Sequence, residues 1–324
     1  MPNPEISQQL NEPLSVQERQ RISTFYALSL SDQWKRNSRG LVNVNYEIGN
    51  AFFLALHGRK TQDQLEACAE IANNMQIFIP VARPVKGKCQ TGYTLQTDTK
   101  KHTLLTPRLL GKHYVDIAHT QKEPIPLDLH KSLATFYWQF QDELSTTSKE
   151  LKDRLKAPGV MRIEDWKDRI PEIAAPLKKY SPEEFPPFKY FDLVHDDLER
   201  QNILSVGNKV TGIVDLDSIR MGDVLYEYGH FLFNNVLCDP SVDSSILSIY
   251  ITELCNARRI KPEDRSSLYN HIYQYAISDI IDFNDLKSNL TLPQHKMIDM
   301  DLLVQQYERA LSVASDFFNN GHFY

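Results

Sequence analysis

The chain has 324 residues, 41% of them hydrophobic and 24% charged, with a net charge of −6 and a pI of about 5.9. This is the balance of an ordinary folded protein long enough for two lobes and a sizeable core, which excludes a disordered tail or a fibrous protein. An acidic total without clustered basic residues argues against a nucleic-acid partner.

No run of about 18 uncharged apolar residues occurs, and the opening MPNPEISQQLNEPL is polar and acidic rather than a signal peptide. No membrane partner and a cytoplasmic location are therefore expected. The four cysteines, Cys68, Cys89, Cys238 and Cys255, contain no Cys-x-x-Cys pair. They read as small buried apolar residues in a reducing compartment. The ten histidines form no ligand-like spacing, so zinc has no support.

Along the chain, GLVNVNYEI and AFFLALH are β-rich and meet at Gly49-Asn50, a hairpin signal. TQDQLEACAEIANNM follows with helical spacing, and GYTLQTD and KHTLLTPRL read as a second strand pair. The chain divides near residue 106, giving an N-terminal β-rich lobe over 1–105 and a mainly helical lobe over 106–324. Within the latter, apolar residues recur at helical spacing in LDLHKSLATFYWQFQDEL, LYEYGHFLFNNVL, SSILSIYITELCNARRI, SLYNHIYQYAISDIIDF and MIDMDLLVQQYERALSVASDFF. Pro-rich, charged material over 157–189 reads as an insertion. Asp279, Asp282 and Asp285 are either ordinary exposed helix charges or an acidic surface for an amine-bearing ligand.

The chemistry concentrates in VHDDLERQN and the IVDLD that follows. YFDLVH delivers His195 from a buried segment, and ILSV and VTGIV read as strands turning at Gly207-Asn208. That hairpin carries Asn202 at its entrance and Asp215 at its exit. Asp197 is placed to orient an acceptor hydroxyl and take its proton. Asn202 and Asp215 offer oxygen ligands that suit Mg²⁺. Asp217, two residues past Asp215, would share its face on an extended strand. Asp223 opens a helix whose free amides its carboxylate can cap.

This ordered set resembles the catalytic core of the aminoglycoside phosphotransferase and type II homoserine kinase superfamily. The likeness continues into MGDVLYEYGHFLF, similar to the family's Gly-Asp-Pro-x-x-Asp helix opening, with Val224 for the proline and Glu227 for the aspartate. Gly40, Asn43, Asn45 and Tyr46 resemble its Gly-rich, Asn-containing first hairpin, which lies over the nucleotide. IFIPVARPV resembles its Ile-Pro-x-x-x-Pro segment. LLTPRLLGKHY resembles its hinge, which the last strand enters at Leu105, Thr106 and Pro107.

The resemblance implies an α+β, protein-kinase-like fold with a small β-rich N-terminal lobe and a larger helical one. It also implies ATP and Mg²⁺ as cofactors. On it, Asp197 is the catalytic base and Asn202 and Asp215 hold the metal. Gly40, Asn43, Asn45, Leu105 and Thr106 serve the nucleotide site, to which the reading of the residues adds Asp217, either assisting a second metal ion or orienting the groups around the first. His195, grouped with Asp197 in the catalytic loop, reads as a scaffold residue whose ring hydrogen-bonds the loop rather than as a proton shuttle. Arg200, matching an arginine of the homoserine-kinase loop, either steadies an anionic group or faces solvent.

One departure stands out. In many relatives a Lys or Arg on the third strand holds the phosphates and pairs with a helix acid. The corresponding residue here is Ala55, which leaves either Arg59 or Lys60 as a substitute or the phosphates to Mg²⁺ and backbone amides, with Glu66 and Glu70 as solvated helix charges. Asp196, where the family often has a small residue, faces solvent or a cationic substrate. The expected function is phosphoryl transfer from ATP to the hydroxyl of a small molecule, such as an amino alcohol, a hydroxy amino acid, a sugar or an aminoglycoside. Alternatives are a protein Ser/Thr kinase of the stress-response type, which VDLDSIRMG also resembles, and a nucleotide-binding pseudokinase that works as an interaction protein.

Overall fold

The computed structural model describes residues 14–29, 31–37, 43–58, 60–76, 80–88, 92–113, 125–155, 172–182, 190–256, 264, 267–288 and 299–319. The chain forms two compact units. One comprises 1–111, 147–155 and 211–219; the other comprises 112–146, 156–210 and 220–324.

In the first unit, helix α1 (Val16–Tyr26) starts at a reciprocal cap. The Ser15 hydroxyl accepts from Glu18 N–H, and the Glu18 carboxylate accepts from Ser15 N–H. Strands β1 (Trp34–Asn37), β2 (Val44–Ile48), β3 (Phe52–His57) and β4 (His102–Pro107) form one antiparallel sheet in chain order. Period-two alternation turns Val44, Tyr46 and Ile48 of β2 inward, where they meet Leu54, Leu56 and Leu105 and the α1 residues Ile22 and Tyr26. The β2–β3 hairpin turns at Gly49, whose φ of 54° suits a residue without a Cβ. Helix α2 (Gln62–Asn74) starts from a Thr61–Gln64 capping box.

The second strand pair expected in this unit is not formed. GYTLQTD meets β4 only at an isolated bridge, Gln96 to His102. Its amides are taken by side chains instead: Glu66 of α2 accepts from Tyr93 N–H at 2.8 Å and Thr94 N–H at 2.8 Å, and the Thr103 hydroxyl accepts from Leu95 N–H. The fourth strand is β1, which the sequence pattern did not mark. Glu66 is therefore a loop anchor rather than a solvated charge. Glu70 pairs with Arg154 at 3.2 Å, which also holds Asp63 at 2.8 Å, so the short helix α3 (Lys149–Arg154) is clamped to α2.

In the second unit, β5 (Lys112–His113) pairs with β7 (Ile203–Val206), and β6 (Phe191–Val194) pairs with β9 (Arg220–Asp223). Strand β8 (Lys209–Ile213) follows β7 through a turn at Gly207, φ 56°. The helices are α4 (Leu127–Thr146), α5 (Val224–Leu232), α6 (Ser244–Asn256), α7 (Leu268–Ser288) and α8 (Met300–Asn319). These lie where the apolar periodicity predicts them, except that α5 loosens into a π-helical turn over Phe233–Leu237. Asp223 caps α5 by accepting from Tyr226 N–H at 2.9 Å, as its position at the helix start implied. Tyr137 of α4 stacks on Phe231 of α5 with ring centres 3.6 Å apart.

Helices α5 and α7 approach at Gly229, where a Cβ would lie 2.7 Å from the His271 carbonyl carbon. Backbone cannot yield as a side chain can. Gly229→Ala is expected to cost about 2–3 kcal/mol through overpacking, measured by urea unfolding; parent-like stability would contradict this close packing.

Candidate active site

In the second unit the candidate site begins where β6 ends. His195 is fully buried, with its ring tilted against Phe140 at 5.8 Å. Its main-chain N–H donates to Glu227 Oε1 at 3.3 Å, and that of Asp196 donates to Glu227 Oε2 at 3.2 Å. Asp196 adopts a left-handed conformation, φ 66°, which Asp tolerates better than most residues. Its carboxylate pairs with Arg220 of β9, so it neither faces solvent freely nor stands unneutralised.

The turn presents Asp197. Burial and the nearby Glu199 charge push its carboxyl up to about 7. Asn202 Nδ2 donates to Asp197 Oδ2 at 3.1 Å and to Asp197 O at 2.7 Å. With both amide protons turned to Asp197, the Asn202 oxygen is the atom left for a cation. Arg200 lies between them in a 3₁₀ turn, Arg200–Asn202. Its Nε and Nη2 are enclosed and have no hydrogen-bond partner among the described residues. A partly buried guanidinium with two spare donors matches an anion.

Behind the loop, His230 of α5 lies 3.8 Å from both Glu227 and Glu199. Burial alone would lower its pKa, but these two carboxylates outweigh it and push it up to about 10. Glu227, although buried, is held below its usual range because His230 outweighs the burial. Asp279 is not a surface charge: it accepts from the Tyr307 hydroxyl, and burial raises its pKa to about 6. Asp282 is exposed, and the Asp285 side chain lies outside the described residues.

The first unit carries the other sequence-predicted residues. Asp215 is exposed and left-handed, φ 65°, and precedes a 3₁₀ turn over Leu216–Ser218. The extended strand expected through Asp217 is thus absent, because a left-handed residue reverses the chain, and the two carboxylates are not aligned by strand alternation. Asp217 is buried, with Oδ2 3.1 Å from His57 Nδ1 and 3.5 Å from Asn43 Nδ2. Burial would raise its pKa, but His57, beside it and hydrogen-bonded to it, outweighs burial and holds it well below the usual carboxylate range.

Asn45 sits opposite Ala55 in the β2–β3 pair. Leu105 contributes only packing by its side chain, and its carbonyl already accepts from Val85 N–H at 2.8 Å. Thr106 is partly exposed beside it. Gly40 and Arg59 lie outside the described residues.

His230 and His57 were given no role by the sequence, and Glu227 and Cys68 none as partners of the site. For Glu227 and His230 the signal was present: a charged residue and a histidine at i,i+3 inside the apolar LYEYGHFLF can enter a core only as a pair.

The donor chemistry fits a hard cation. In the second unit Asn202 supplies an amide oxygen, and in the first unit Asp215 supplies an exposed carboxylate, both of them hard oxygen donors. No group of three or more His, Cys, Asp or Glu side chains that could hold a metal occurs among the described residues.

Residues 33–258 match the profile described as Phosphotransferase enzyme family. The fold is similar to an amicoumacin kinase, hAmiN, solved with AMP-PNP, Ca²⁺ and Ami: TM-score 0.66 at 11% identity, covering 94% of this chain and 95% of that one. It is also similar to the GDP complex of aminoglycoside 2'-phosphotransferase-IIIa, with TM-score 0.60 at 14% identity, covering 91% and 98%. A third similar structure is macrolide 2'-phosphotransferase MphH from Brachybacterium faecium, with TM-score 0.53 at 13% identity, covering 84% and 92%. A search of curated protein sequences finds no match. At these identities the structural likeness establishes the kinase-like α+β fold. No helix among the described residues is long and apolar enough to cross a membrane.

The His230 charge gives a pH signature. Its folded pKa is raised above the ordinary value of about 6.5, so its stabilisation is complete below that pH and is lost as pH rises toward 10. Between pH 6.5 and 9.5, urea-unfolding free energy should fall more steeply in the parent than in His230→Gln. Equal slopes would contradict the charge pairing.

Proposed function

The chain belongs to the phosphotransferase enzyme family, and on that premise we propose that it moves the γ-phosphoryl group of ATP, with Mg²⁺, to a hydroxyl of a small molecule. The observation that carries this reading is the Asp197–Asn202 pair: a carboxyl near neutrality, fixed by an amide whose oxygen stays available.

Asp197 accepts the acceptor hydroxyl's proton as its oxygen attacks the γ-phosphorus, while the bond to the β,γ-bridging oxygen breaks and ADP leaves. A carboxyl whose pKa lies close to neutral pH is suited to this exchange. Arg200 steadies phosphoryl oxygens through its two unpartnered donors. Asn202 and Asp215 would hold Mg²⁺, which supplies charge neutralisation on the phosphates when bound. Asn43, Asn45 and Thr106 are assigned to the nucleotide. Positioning and electrostatics carry the rate enhancement.

The neighbours named above, an amicoumacin kinase and aminoglycoside and macrolide phosphotransferases, support a small-molecule hydroxyl as acceptor. Amino alcohols, hydroxy amino acids, sugars and aminoglycosides make up the panel to test. A non-catalytic, nucleotide-binding role is favoured by one observation, the uncharged Ala55 in the middle of β3.

The test is transfer of labelled γ-phosphate to that panel and to a protein extract, with Asp197→Asn alongside. Transfer to a small molecule is expected, with kcat about a hundredfold or more lower in the variant and ATP binding intact. Label on protein alone, or turnover unchanged in the variant, would contradict the reading. Asp215→Ala should weaken Mg²⁺-dependent ATP binding by calorimetry; equal affinities would remove Asp215 from the metal.

A further inference from the structure

His57 ends β3, and its ring is almost completely enclosed. Nδ1 lies 3.1 Å from Asp217 Oδ2, so the proton on that nitrogen points at the carboxylate. Nε2 is enclosed and has no hydrogen-bond partner among the described residues. All the polar reach of this ring is therefore spent on one acid, and that acid belongs to the turn that follows Asp215.

The turn needs such support. Asp215 holds φ 65°, a conformation that costs a residue with a Cβ of order 1 kcal/mol and persists only where the surroundings over-determine it. Those surroundings are visible. Ser218 N–H donates to Asp215 O at 3.2 Å, closing the turn. The Cys68 thiol of α2 lies 3.7 Å from Asp217 O and 3.6 Å from Ile219 O, pinning the far side. Asn43 reaches the same Asp217 oxygen from the start of β2. Among these contacts the His57–Asp217 pair is the one made by two side chains both nearly buried, where water competes least for the hydrogen bond.

We propose that His57 is a positioning residue for the metal site: by holding Asp217 it fixes the turn that aims the Asp215 carboxylate, and so sets the affinity for the divalent cation. The inference rests on the phosphotransferase reading and concerns how that site is kept in shape. A partner one step behind a metal ligand commonly governs affinity by 10- to 100-fold when removed.

Two near-isosteric variants separate this role from general stability. The amide nitrogen of His57→Asn falls near Nδ1 and can still donate to Asp217, whereas that of His57→Gln falls near Nε2 and cannot. Ile22→Val, a small truncation in the core of the same unit, sets the effect of lost stability alone. For each protein, ATP binding is measured by calorimetry across a Mg²⁺ titration, with thermal unfolding in parallel.

The Mg²⁺ concentration that half-saturates ATP binding should rise about tenfold in His57→Gln and stay close to the parent in His57→Asn and Ile22→Val. A His57→Gln profile equal to that of the parent, or Asn and Gln shifted alike, would overturn the positioning role. A parent whose ATP binding ignores Mg²⁺ would instead overturn the phosphotransferase reading, and the role of His57 with it.

Discussion

One buried carboxylate holds the loop on which the second unit's chemistry depends. Glu227 takes the main-chain N–H groups of His195 and Asp196, one on each oxygen, at the point where β6 stops. Two inward donors without that acceptor would each carry a desolvation cost of about 1–3 kcal/mol. With it, a left-handed Asp196 is tolerated just before Asp197, which Asn202 holds through a hydrogen bond. The carboxylate is itself kept charged by His230, which faces Glu199 on its other side. The alternation of acid and base thus runs from the loop into α5, whose start is fixed by the Asp223 cap.

The first unit repeats the device with other residues. There the left-handed residue is Asp215, the buried acid is Asp217, and the partner is His57 on β3 rather than a helix histidine. In both places an aspartate tolerates a conformation that most side chains avoid, and a nearly buried acid–histidine pair stands behind it. Such sites exchange stability for direction, as expected where side chains must meet a ligand in one geometry.

The fold was legible in the sequence where periodicity was strong. The long stripes of α4, α7 and α8, the β2–β3 hairpin at Gly49-Asn50 and the β7–β8 turn at Gly207 all follow from local rules. The Asp223 cap did too. What failed was decided by distant side chains: GYTLQTD alternates like a strand, but Glu66 and Thr103 capture its amides. Asp217 was expected on a strand because nothing local announces a left-handed Asp215. The spacing of Asp197, Asn202 and Asp215 pointed to the phosphotransferase family, whereas the acids and histidines around those residues are scattered over the chain and come together only by folding.

The most direct measurement is steady-state phosphoryl transfer by Glu227→Gln. Glutamine keeps the shape but must turn an N–H toward one of the two loop amides, so the loop loses one anchor. Misplacing a reacting group by about an ångström can cost a hundredfold. A folded variant that still binds ATP but turns over roughly a hundredfold more slowly is the predicted result. Parent-like kcat would contradict the claim that this carboxylate sets the position of Asp197.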